Sequence, residues 1–227
     1  MSGALKSVFG GGGIFGALMS IASIAFPPLA IAGSLGNLLS TAIGEVVKQV
    51  ATQLVKEFAM PKFLEAVVHA VVDKAGLGKQ NQSSPEVDAA TKEKFGPAID
   101  DFSGTLVKQM VDSVRKNIEG EQQKRTGTSG GKSSATSWLS AIAQAMGEVL
   151  GDKAARMVEL ASHLGDLNSA AKGLGDDKKA KEENARDMTK TQLDLQGVSQ
   201  EFGILQSSFS NAIKSIGEGL AQAGRKG

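Results

Sequence analysis

The chain has 227 residues, with 25 Lys and Arg against 24 Asp and Glu, two His, one Trp, no Tyr and no Cys. The absence of cysteine excludes disulfides, thiolate metal sites and thiol nucleophiles, and the balanced charge provides no global field to draw in nucleic acid. Twenty-eight glycines and only nine Phe give a chain long enough to bury a core but rich in the small residues that let helices approach closely.

Charge is unevenly placed: from Ser7 to Gly44 there is none. Lys6, the apolar run from Ile14 to Phe26 and Ala30-Ile31-Ala32 have the order of a signal peptide, but Gly16 interrupts the run and Pro27-Pro28 closes it. A bilayer crossing needs about 20 apolar residues; the two prolines divide the stretch into Ile14–Phe26 and Leu29–Ile43, each too short. Proline removes a backbone donor and disfavours helix before it, so the front end is expected to be an apolar helical hairpin bent at the prolines. Its assembly or insertion residues are Ile14, Phe15, Ile21, Ile24, Phe26, Pro27, Pro28, Leu29 and Ile31. Gly11 to Gly16 matches G-x-G-x-x-G, but a dinucleotide site needs a strand before it and an acid about 20 residues later. Only Val8-Phe9 precede it, and the first acid is Glu45.

From Leu35, apolar residues recur at helical spacing through Leu39, Ala42, Val46, Val50, Leu54 and Phe58, until Pro61. A second amphipathic helix runs from Lys62 to Ala75. A polar hinge follows, from Lys79 to Pro85, and then a short segment broken at Gly96-Pro97. Ile99, Phe102, Leu106, Met110, Val114 and Ile118 step by three or four along a third helix. Gly120 to Thr136 reads as an exposed Gly/Ser/Thr/Lys loop. It holds Gly127 to Ser133, a near match to a phosphate-binding loop whose first glycine is one position short and which lacks a buried strand. Thr136 or Ser137 caps a helix from Trp138 to about Leu164, with Trp138 as a packing anchor. A Gly-rich connection over 165–177 leads to the last element.

In that element Met188, Leu195, Phe202, Phe209 and Ile216 are spaced by seven. Three residues after each come Thr191, Val198, Leu205, Ala212 and Gly219. A sustained seven-residue repeat predicts a left-handed helix–helix seam, with Met188, Leu195, Val198, Phe202, Leu205, Phe209, Ala212 and Ile216 as its assembly residues. The charged residues from Lys178 to Arg186 are expected on a solvated helix start.

His69 and His163 lack the spacing of a metal site, no serine lies in a G-x-S-x-G elbow, and the pairs Asp100-Asp101 and Asp176-Asp177 suit helix starts better than shared catalysis. The expectation is a non-enzyme without cofactor or metal and without nucleic acid as partner.

The run Gln192-Leu193-Asp194-Leu195-Gln196-Gly197-Val198-Ser199-Gln200-Glu201-Phe202 and the later Ile213-Lys214-Ser215-Ile216-Gly217-Glu218-Gly219-Leu220 resemble the terminal coiled-coil helix of bacterial type III secretion filament and translocator subunits. The long glycine-rich front departs from the filament members and resembles the hydrophobic translocators. The resemblance implies a protein secreted, or held at the cell surface, without a cleaved signal. It would be a homo-oligomer that assembles as a filament or tube. The alternative is a membrane-inserting translocator, pore-forming or phage ejection protein, virion- or membrane-associated, with lipid as a second partner. The expected fold is all-α, with extended helical hairpins, a C-terminal heptad coiled-coil helix and an apolar Gly-rich N-terminal hairpin. The chain divides into 1–78, the apolar region; 79–136, a helix with linker and loop; and 137–227, a hairpin carrying the seam.

Overall fold

The structure, a computed structural model, describes residues 28–74, 84–124, 134–175 and 177–224. These form five α-helices and, among the described residues, no strand: α1 Pro28–Phe58, α2 Lys62–Lys74, α3 Pro85–Lys124, α4 Ala135–Ala171 and α5 Lys178–Gly224.

α1 opens on Pro28, where a missing N–H is one of the helix's orphan donors anyway. It runs unbroken to Phe58, so the expected short helix Leu29–Ile43 and the helix expected from Leu35 are one element. Ile31, Leu35, Leu39, Ile43, Val46, Val50 and Leu54 form its buried stripe. Its end turns through one left-handed residue: Ala59 has φ 56°, and the N–H of Met60 reaches back to donate to the Leu54 carbonyl at 3.1 Å. Glycine usually fills that left-handed position.

α2 folds back antiparallel on α1. Thr52 Oγ1 donates to Glu65 at 2.6 Å, and Lys48 pairs with Asp73 at 2.7 Å. α3 returns parallel to α1. Ser34 donates to Asp88 at 2.5 Å near both N-termini, and Gln53 and Glu57 share a groove with residues from Gly104 to Asp112 further along. α4 is antiparallel to α3, with Gln109 donating to Asp152 and Ser113 to Glu148. α5 is antiparallel to α4, tied by Lys153–Glu201 at 2.7 Å and by Asn184 Nδ2 to the Leu167 carbonyl at 3.1 Å. It also packs on α1 and α2. One continuous apolar core draws on all five helices, and so on each of the three stretches read from the sequence.

Four boundaries differ from those expected. α3 passes through Gly96-Pro97 without a break, because Val87 and Phe95 before the proline and Ile99 and Phe102 after it are all buried; tertiary packing outweighs the lost backbone bond. This places Asp100 and Asp101 in the interior of α3, exposed, and not at a helix start. The helix also continues past Gly120 to Lys124, which shortens the expected loop from its front. α4 begins earlier, at Ala135, with Ser134 as N-cap accepting from the Ser137 N–H at 3.1 Å. It continues through Gly165 to Ala171. Asp177 caps α5, its carboxylate accepting from the Ala180 N–H at 3.1 Å. The glycine-run motif at 11–16 and the loop motif at 127–133 lie outside the described residues.

Candidate functional site

The seam residues of α5 fall into two columns. In the first, Val198, Leu205 and Ala212 are no more than 1% exposed, and Thr191 is 6% exposed. In the other, Met188, Leu195 and Phe202 are half-buried, whereas Phe209 and Ile216 are buried. The buried members belong to the core within one chain: Leu205, Phe209, Ala212 and Ile216 join the main cluster. Glu201 and Ser208, which the seven-residue pattern places outside the seam, are also buried. α5 has α4, α1 and α2 as neighbours, so its buried arc is wider than a two-helix seam.

Of the front-end residues, Ile14, Phe15, Ile21, Ile24, Phe26 and Pro27 lie outside the described residues. Pro28 and Leu29 form the first turn of α1. Ile31 is 3% exposed and belongs to the core. The second part of the charge-free stretch thus supplies a face of the bundle interior, and the remainder leads into α1 at Pro28.

The most unusual electrostatic feature was not legible in the apolar pattern. Lys153 of α4 and Glu201 of α5 meet in the interior with side chains 10% and 1% exposed. The Lys153 ammonium also lies 5.5 Å from the centre of the Phe102 ring of α3, so three helices converge on one charge. Beside it is a cavity of about 100 Å³ lined by Phe102, Leu106, Gln109, Val149, Asp152, Lys153, Arg156 and Val198. That space holds only a few water-sized groups. The signal available in the sequence was Lys153 standing seven residues after Met146 and seven before Leu160, on the buried face of α4.

His163 is exposed and His69 half-buried, its Nε2 3.4 Å from the Lys48 carbonyl. Trp138 is 4% exposed, in the core. Among the described residues no three His, Asp or Glu side chains cluster as metal ligands do, and no helix is long and apolar enough to cross a membrane. Apolar groups exposed among the described residues include Val158 at 70% and Phe63 at 60%. No protein-family model, curated protein or solved structure matches the chain.

Proposed function

We propose that the protein is a structural subunit that assembles with itself into a secreted helical filament or tube, its N-terminal apolar segment buried between subunits. One observation carries the reading: the stretch from Ser7 to Gly44 is free of charge, and from Ile31 onward it lines the bundle core. Segment 7–27, with Ile14, Phe15, Ile21, Ile24 and Phe26, brings apolar surface that a soluble monomer rarely leaves in contact with water. The seam residues buried within α5 support the bundle, which leaves the front end as the element for contact between copies. The resemblance to type III secretion filament and translocator subunits fits this role, with secretion and no cleaved signal.

The second reading is a membrane-inserting or pore-forming protein. What favours it is the apolar run Ile14–Phe26, which is shorter than the ~20 residues of a bilayer crossing and suits shallow insertion or a pore lined by several copies. Electron microscopy of the purified chain, run beside a dye-leakage assay on liposomes, separates the two. Ordered polymer without lipid supports the subunit reading. Leakage with no polymer rejects it in favour of insertion.

A further inference from the structure

The seven-residue repeat of α5 decides which face of the helix is buried, but it leaves open the level at which α5 sits along its neighbours. A slide of one heptad moves the helix ~10 Å at 1.5 Å per residue. It would put Phe202 or Ile216 in the place of Phe209, and Val198 or Ala212 in the place of Leu205. Those places stay apolar, toward α4 and equally toward α1 and α2, so within these columns only differences of volume oppose the slide. One buried column differs. It reads Asp194, Glu201, Ser208 and Ser215, again seven apart. Glu201 is 1% exposed and meets Lys153 of α4 at 2.7 Å, and Asn184 Nδ2 donates to the Leu167 carbonyl in nearly the same register. In that antiparallel pairing Met146 stands level with Ser208, and Leu160 level with Asp194.

We infer that the Lys153–Glu201 pair is a register lock, which sets the level of α5 on α4 where the apolar repeat does not. A slide of one heptad brings Glu201 level with Met146 in one direction and with Leu160 in the other, and both are buried apolar residues. In the first case Lys153 meets Asp194 and the Glu201 carboxylate alone is stranded. In the second Lys153 meets Ser208, and both charges lose their partner. A stranded buried charge costs more than a change of apolar volume, so the pair rejects both slides whether or not it stabilises the native level. A single polar residue in an apolar heptad seam selects register in the same way. The Phe102 ring, 5.5 Å from the Lys153 ammonium, extends the lock to α3. The device belongs to one chain and stands apart from the self-assembly reading.

The chain has no cysteine, so Ser169→Cys on α4 and Ser199→Cys on α5, both at exposed positions, take nitroxide labels without background. In the native register the labels stand about 20 Å apart along the hairpin, and a slide of one heptad changes that offset by about 10 Å. Double electron–electron resonance on the full labelled chain is expected to give one distance. Lys153→Met/Glu201→Leu, which removes the lock, is expected to give more than one, separated by several ångströms, with helix content kept. Ser208→Glu/Glu201→Ser moves the carboxylate one heptad along α5 and is expected to shorten the main distance, as α5 slides to bring the acid back to Lys153. A neutral variant that keeps the single native distance overturns the inference, and so does a relocated carboxylate that folds at the native distance. Loss of helix content in the neutral variant overturns it as well, since the pair would then be needed for folding and not for register.

Discussion

Burying Lys153 beside Glu201 removes two charges from water, and their attraction repays that cost only with good geometry and further partners. Here the partners are a 2.7 Å contact and the face of the Phe102 ring. Lys153→Met alone strands the Glu201 carboxylate in the core and is expected to cost about 3–5 kcal/mol in urea unfolding. Lys153→Met/Glu201→Leu, which removes both charges, should recover most of that loss. A double variant as unstable as the single one would show that the pair is net stabilising. Lys48 gives a pH-dependent case at the surface. Its hydrogen bond to Asp73 raises its pKa above the ordinary 10.5, against a smaller opposing effect of burial and with help from Glu45. A pKa raised by folding means that the α1–α2 link is fully present below pH 10.5 and is lost as pH rises through the folded value. Above pH 10.5 the wild type should therefore lose thermal stability faster than Lys48→Met does. Parallel Tm curves for the two would remove the role given to Asp73.

At the scale of the element, α5 separates two phenylalanines that the seven-residue pattern treats alike. Phe209 is fully buried, whereas Phe202 is half-buried. Phe209→Ala is expected to cost about 3–5 kcal/mol and Phe202→Ala distinctly less; equal costs in denaturant titrations would place Phe202 in a better-packed site than its exposure indicates. Helix type and the apolar stripes were legible throughout, because Leu35, Leu39, Val46, Val50 and Leu54, and Ile99 to Ile118, repeat at helical spacing. What was not legible was continuity. Gly96-Pro97, Gly120 and Gly165 are local stop signals, and each is overridden by packing on a neighbour or by the helix running on past it. The width of the α5 buried arc was equally hidden, since a single sequence does not say how many helices surround it. Pro97 tests the override directly. It sits exposed inside α3, where an interior proline costs about 3 kcal/mol relative to Ala. Pro97→Ala should raise stability by about 1–3 kcal/mol. A loss would mean that the bundle requires the bend that proline imposes.

For the molecule as a whole, the charge-free stretch from Ser7 to Gly44 divides at the start of α1. Every core residue described lies at Ile31 or beyond, on helices that also exchange polar contacts: Ser34 with Asp88, Thr52 with Glu65, Lys153 with Glu201. A chain beginning at Pro28 keeps all of these. Its helix content and the burial of Trp138, read from fluorescence, are expected to match the full chain, with Tm lowered by no more than about 5 °C, a shift equivalent to roughly 1–2 kcal/mol for a chain of this size. What it loses is the apolar segment proposed to be buried between copies. In sedimentation experiments its association should therefore be weakened relative to the full chain. Collapse of helix content in the shortened chain would show that residues 1–27 complete the core instead of serving assembly. Association as strong as in the full chain would take the front end out of the interface altogether.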